Sequence, residues 1–183
     1  MKLTFTISLL FLLGISFQSN LFSQSIRLIP ERSSVTFNIK NWGLTVDGRF
    51  GGLEVTGNWD ENAPSKSKIQ GIVKSTTVDA NIDARNASLR GEEYFHVEKF
   101  PEIKITSTSI ERKDGSYTFK GKLEMKGMVK NIEFPFNVSG TNDALKFTGE
   151  FKINRLDYQV GTSSMVTGDI VTVFLECTVK IVN

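Results

Sequence analysis

From Tyr117 to Met125 the chain alternates almost without a break. Tyr117, Phe119, Gly121, Leu123 and Met125 fall on one side, and Thr118, Lys120, Lys122 and Glu124 on the other. The pattern returns at Val35, Phe37, Ile39; at Ile132, Phe134, Phe136, Val138; at Leu145, Phe147, Phe151, Ile153; and at Val171, Val173, Leu175, Val179, Ile181. Side chains of a strand point to opposite faces with period two, so each segment reads as a strand with one dry and one wet face. A chain built almost wholly of such strands must fold its dry faces together. A barrel or a sandwich does this, and a barrel can keep an apolar space inside.

The chain of 183 residues is long enough for one domain with a real core. Its first two dozen residues differ from the rest: Lys2 is their only charge, and an apolar run through Ile7, Leu9, Leu10, Phe11, Leu12, Leu13 and Ile15 gives way to Gln18, Ser19 and Asn20. This reads as a secretory signal peptide over residues 1–24, with cleavage near Ser23 to Ser25. The apolar run is shorter than the roughly 20 residues a spanning helix needs. The mature domain, residues 25–183, is expected in the periplasm or secreted. Without Lys2 the formal charge falls from +2 to +1, too little for broad attraction to nucleic acid or an anionic membrane. Cys177, the one cysteine, sits between Leu175 and Val179 on the dry face and reads as a buried, small hydrophobe.

Strands are expected over Ser34–Asn41, Leu44–Phe50, Leu53–Trp59, Lys68–Ser75, Glu102–Arg112, Ser116–Met125, Val129–Ser139, Leu145–Asn154 and Ile170–Val182. Gly51-Gly52 allows a sharp reversal. Lys113-Asp114-Gly115 is a strong hairpin signal, because Asp-Gly tolerates positive φ. Lys126-Gly127-Met128 and Gly140-Thr141-Asn142-Asp143 read as two further hairpins. Asp83 to Phe95 breaks the alternation and reads as a short helix or helical turn, with Asn81 or Asp83 at its N-cap. Phe100-Pro101 then resets the chain to extended. A second irregular stretch, Leu156 to Asp169, completes the candidate rims of a cavity.

Four stretches together resemble the YceI-like family of polyisoprenoid-binding proteins. They are Ser33-Ser34-Val35-Thr36-Phe37; the run from Leu89 through Tyr94-Phe95 to Phe100-Pro101-Glu102-Ile103; Gly121 to Lys130 around Lys126-Gly127; and Asn154 to Gly161 followed by Gly168-Asp169-Ile170-Val171. Their order and spacing cover nearly the whole mature chain. The resemblance implies an all-β fold: a single antiparallel, lipocalin-like β-barrel of about eight strands, here with a short helical segment near residues 83–95. Its interior would hold an isoprenoid or other long-chain amphiphile. Four positions depart from the family pattern, at Ile29, Arg32, Ser88 and His96. They leave the fold unaffected and bear only on polar contacts to a head group.

Little in the sequence argues for chemistry on a substrate. His96 is the one histidine, too few for a metal site built on imidazole, and it lies between Phe95 and Val97 with no nucleophile motif elsewhere. No metal, cofactor or catalytic residue is expected. Gly48, Gly51 and Gly52 read as bend glycines. Gly57-Asn58-Trp59 matches the G-x-W fragment of lipocalins but is displaced from its usual place at the start of the barrel. Asn86-Ala87-Ser88 and Asn137-Val138-Ser139 are formal glycosylation sequons.

The dry face is the candidate binding site: Phe37, Ile39, Phe50, Leu53, Val55, Ile105, Phe119, Leu123, Phe134, Phe136, Phe147, Phe151, Val173 and Leu175. Alternation alone does not divide these into core and cavity wall. Glycines at 48, 57, 71, 121 and 149 would either leave room for a ligand or mark the coil of a tight barrel. Arg155, Asp157 and Asp169 are polar rim candidates, read first as an ion pair clamping the loop from Leu156 to Gly168. Burial of about forty carbons would nominally gain roughly 30 kcal/mol, beyond the practical ceiling near 20 kcal/mol, so tail length alone selects poorly. The expected function is non-catalytic binding, transport or storage of a polyisoprenoid or similar lipid. The expected partners exclude nucleic acid and stable membrane insertion and leave a homodimer open. One alternative is a cavity-free barrel serving as a protein-interaction or stress-response module. The other is an outer-membrane barrel with its apolar face outward.

Overall fold

The computed structural model describes residues 24–182. Apart from Gln24, the expected leader lies outside the described residues.

Ten strands form one antiparallel sheet that closes on itself. They are β1 (Ser25–Leu28), β2 (Ser34–Asn41), β3 (Leu44–Phe50), β4 (Glu54–Asn58), β5 (Lys68–Lys74), β6 (Glu102–Lys113), β7 (Ser116–Met125), β8 (Met128–Thr141), β9 (Ala144–Asn154) and β10 (Thr167–Val182), with one helix, α1 (Asp83–Arg90), between β5 and β6. In space these make an eight-stranded barrel, because two positions in the wall are each filled by an interrupted strand. β2 pairs with the first half of β10 and β1 with its last residues, so β1 and β2 run end to end along one edge. The interruption is a 3-10 turn at Pro30–Arg32. β3 pairs with β2 and β4 with β1, so β3 and β4 are likewise collinear.

Two local expectations change here. Gly51-Gly52 does not reverse the chain; it offsets a strand that continues in the same direction. Gly52 takes φ +65, and Thr77 Oγ1 holds the kink by accepting from Gly51 N at 2.9 Å and donating to Gly51 O at 3.0 Å. α1 ends at Arg90, and Ile82 occupies its N-cap position with no side-chain bond, so neither Asn81 nor Asp83 caps it. The Asn81 backbone is instead in a left-handed turn, φ 65.

The tight hairpins follow their turn chemistry. Asp114-Gly115 sits at φ 51 and 83 and Lys126-Gly127 at φ 51 and 76, both residues positive as a two-residue turn matched to strand twist requires. Trp42-Gly43 makes the same turn between β2 and β3, φ 53 and 75. A bulge at Ser107/Ser109 shifts the register of β6 against β7. It moves the inward set from Ile103, Ile105 and Ser107 to Ile110, which is fully buried.

The dry faces meet inside. Phe119 stacks on Phe134 at 4.9 Å and Phe134 on Phe151 at 4.6 Å, a ladder across β7, β8 and β9. Trp59 plugs one end, packed edge-on against Phe147 at 5.0 Å and Tyr117 at 5.2 Å. Outward positions on β7 are Thr118, Lys120, Lys122 and Glu124, and Lys120 pairs with Glu111 at 2.9 Å. A wall polar outside and apolar inside is the reverse of a transmembrane barrel, so the outer-membrane alternative does not fit it.

Candidate functional site

The interior is not filled. A cavity of about 360 Å³ occupies the end of the barrel opposite Trp59, within the size range of ligand pockets. A second of about 100 Å³ lies deeper. Val35, Leu53, Gly71, Ile105 and Leu175 line both, so the two are adjacent sections of one space with a waist between them.

Every apolar candidate borders this space. Phe37, Ile39, Phe50, Leu123, Phe151 and Val173 line the outer cavity. Val55, Phe119, Phe134, Phe136 and Phe147 line the deep one. Leu53, Ile105 and Leu175 line both.

The strand glycines divide. Phenyl rings already cover Gly48 (Phe37) and Gly149 (Phe134), the Thr106 carbonyl and the Phe119 ring cover Gly121, and the Lys68 backbone crowds Gly57. Gly48, Gly57 and Gly121 line no cavity, while Gly149 borders the second one. Gly71 differs: an added Cβ would meet only Ile105 Cγ2, at 3.0 Å, and Gly71 stands at the waist.

The polar rim candidates separate as well. Arg155 is 4% exposed and lines the outer cavity, but its guanidinium is taken up by the protein. Nε donates to Gly168 O at 3.0 Å and Nη1 to Val160 O at 2.8 Å. Nη2 donates to Thr162 O at 2.8 Å and reaches Asp169 Oδ1 at 3.1 Å. This is the clamp on the 156–168 loop. Asp157 does not take part: it is exposed and makes no ion pair among the described residues. Its charge acts on its neighbour, where burial first and Asp157 second push the Tyr158 hydroxyl up to about 12.

The segment between β5 and β6 forms the lip of the outer cavity. Arg85, Ser88 and Leu89 of α1 line it together with Tyr94 and Phe95. Phe95 is buried and meets Phe50 edge-on at 5.4 Å. Asp79 anchors α1 to β3: its carboxylate accepts from Arg49 Nη2 at 2.7 Å, Asn81 N at 3.0 Å and Asn86 Nδ2 at 3.0 Å. The Asn81 amide, the Asn86 amide and the Arg49 charge hold that carboxyl below its ordinary 3.8. Asn86 also accepts from Ala80 N at 2.7 Å, so the first sequon is buried structure, whereas Asn137 is exposed on β8. Lys126 Nζ ties the lip to the Arg155 turn by donating to Glu93 O at 2.9 Å and Gln159 O at 2.6 Å.

His96 lies on this lip in a left-handed turn, φ 47, its ring against Phe100 at 5.8 Å and outside the cavity lining. Cys177 is half-buried rather than fully buried. It borders the deep cavity, and burial pushes its thiol up to about 12.

Sequence reasoning passed over the lip residues Arg85, Leu89, Tyr94 and Phe95 as site members. The available signal was the helical spacing of Arg85, Ser88 and Leu89, three and four residues apart, which places them on one face.

Comparison with known proteins agrees with this architecture. A family model described as the YceI-like domain matches residues 27–179. The protein YceI of Salmonella agona (strain SL483) is 28% identical over 166 residues, covering 82% of this chain and 87% of that protein. Among solved structures, Burkholderia cenocepacia BcnA superposes with a TM-score of 0.79 at 20% identity, over 82% of this chain and 98% of that one. A polyisoprenoid-binding domain from Saccharophagus degradans, implicated in plant cell wall breakdown, superposes with a TM-score of 0.68 at 18% identity, over 85% of this chain and 98% of that one. At these identities the superpositions speak to the fold.

Proposed function

Because the chain belongs to the YceI-like family, we propose that its interior binds a polyisoprenoid or another long-chain amphiphile and carries or stores it without transforming it. One observation carries this reading: an apolar cavity of about 360 Å³ that adjoins a second apolar section of about 100 Å³, the two sharing Val35, Leu53, Gly71, Ile105 and Leu175 as lining. That shape suits a long thin tail better than a compact solute. The shared fold with a polyisoprenoid-binding domain supports the ligand class. The same cavity weighs against the cavity-free interaction module. His96 stands outside the lining, and the Cys177 thiol, raised to about 12, is not poised for nucleophilic attack at neutral pH. Binding without chemistry is therefore the better reading. We further propose, from the leader-like composition of residues 1–24, that this activity is exercised outside the cytoplasm.

The test is native mass spectrometry of residues 25–183 purified without detergent, followed by denaturing extraction. A stoichiometric adduct that releases a long-chain isoprenoid or fatty amphiphile is expected. A protein that stays empty, and remains so after exposure to long-chain lipids in vesicles, overturns the carrier reading.

A further inference from the structure

An apolar tail in the barrel leaves its head group at the mouth, so the charges there decide which amphiphiles are held. The outer cavity is lined by two charged side chains, Arg85 and Arg155, and no acidic one; the remaining polar lining comes from Asn41, Ser88, Tyr94 and Thr167. Arg155 is already committed. Its three nitrogens donate to loop carbonyls, and Asp169 balances its charge at 3.1 Å.

Arg85 is different. Its Nη1 donates to Ala80 O at 2.9 Å, and that is its one hydrogen bond among the described residues. It takes part in none of the ion pairs found there. Nε and Nη2 are therefore left without a protein acceptor. The residue is partly buried, as a group standing at a mouth would be. Its place is fixed from behind, because Asn86, the next residue of α1, is bonded to Asp79 and Ala80. Ser88, three residues on, lines the same cavity. Its hydroxyl donates to Ala84 O at 3.0 Å and keeps lone pairs free to accept.

We propose that Arg85 is the head-group site and that the amphiphile it selects is an anion, a carboxylate or a phosphate ester. A planar guanidinium whose Nε–Nη2 edge is free to donate two parallel bonds matches either oxyanion and offers nothing to an ammonium. The apolar wall behind it lowers the local dielectric and strengthens the pairing relative to water. The selectivity that tail burial fails to supply comes from this one charge. The inference rests on the lipid-carrier reading and adds the charge of the ligand to it.

The experiment is competition by dodecanoic acid, dodecyl phosphate, dodecanol and dodecylamine, each below its micellar concentration, against a neutral fluorescent apolar probe. The proteins are the wild-type domain, Arg85→Gln and Arg85→Lys, with melting temperatures recorded in parallel. The expected result is that acid and phosphate bind at least about tenfold more tightly than the alcohol, and the amine more weakly than the alcohol. Arg85→Gln should level the series with little change in melting temperature, and Arg85→Lys should keep part of the preference. Acid and alcohol binding equally to the wild type, or a preference that survives in Arg85→Gln, overturns the head-group assignment and leaves the carrier intact. If neither the probe nor any of the four compounds binds, the carrier reading itself falls, and the assignment with it.

Discussion

Arg155→Ala tests whether the buried guanidinium at the mouth is structure or ligand contact. The side chain is 4% exposed, and its donors satisfy the carbonyls of Val160, Thr162 and Gly168 as well as the Asp169 carboxylate. Thr162 is exposed and Asp169 partly so, and both recover water when the arginine is removed. The Val160 carbonyl belongs to a buried residue and does not. A stranded buried acceptor costs about 1–3 kcal/mol, and removing one member of a buried ion pair costs about 3–5 kcal/mol. With the Asp169 end open to solvent, a loss of about 4 kcal/mol is the reasoned value. For a domain of this size that corresponds to a melting temperature lower by roughly 8–16 °C, read by circular dichroism or dye-based thermal shift. Lipid affinity, measured well below the new melting point, should change less than about threefold, a small free-energy difference. A melting temperature within about 2 °C of wild type, together with an affinity loss above about tenfold, would refute the clamp and make Arg155 a ligand contact.

Gly71→Val puts a branched side chain into the waist, where its Cβ meets Ile105 Cγ2 at 3.0 Å; overpacking should cost about 1–3 kcal/mol. Alkanoic acids of increasing length should then stop gaining the nominal 0.8 kcal/mol or so per methylene at a shorter chain than in wild type, and an unchanged length dependence by competition titration would show that tails do not pass the waist. Asp79 has a depressed pKa in the fold, so its contribution is present above the unfolded value of 3.8 and fades as pH falls through the folded one. Asp79→Asn should thus be less stable than wild type at pH 7 and converge with it at acid pH in urea titrations; a constant difference at all pH values contradicts the assignment. Cys177, with its thiol raised to about 12 and its side chain on the deep cavity, should react with a disulfide reagent far more slowly in the native than in the denatured chain. A saturating long-chain lipid should slow it further, and native labelling as fast as denatured labelling would refute this.

Alternation made most of the wall legible. β2, β3 and β7 begin and end where the pattern does, because each presents an unbroken dry face and ends in a two-residue turn or a glycine. β1 escaped notice because Ser25–Leu28 offers too few residues to show a period, and its pairing partners Asn58 and Val182 are remote in sequence. Gly51-Gly52 misled for a related reason. A glycine pair licenses many backbone paths, and it is the hydrogen bonds with Thr77 that select a kink instead of a turn. The cavity wall was legible as dry residues but not as a wall. Whether Phe37 covers Gly48 or leaves it open depends on a rotamer and on the neighbouring strand, and the same contrast separates Gly71 from Gly121. The lip was least legible. Arg85 and Tyr94 reach the cavity only because the Asp79–Asn86 bonds dock α1 against β3, a contact between polar side chains with no periodic signature.

The collinear breaks in β1/β2 and β3/β4 divide the barrel into two mechanical regimes. Around Trp59 the sheet closes on itself, with β4 paired to β5 along its length and to β1 at Ser25–Asn58, and the Trp59 ring packs that end from inside. At the mouth, β3 has a ladder partner on one side only; on the other its backbone meets a single bridge, Arg49 with Asp79, backed by their ion pair at 2.7 Å. The far end acts as a rigid socket and the mouth as a collar with one fastening. Amide hydrogens of β3 should exchange ahead of those in β7 and β8. Under the proposed carrier function, ligands with differently sized heads would share one grip on the tail, since it is the collar and not the socket that yields.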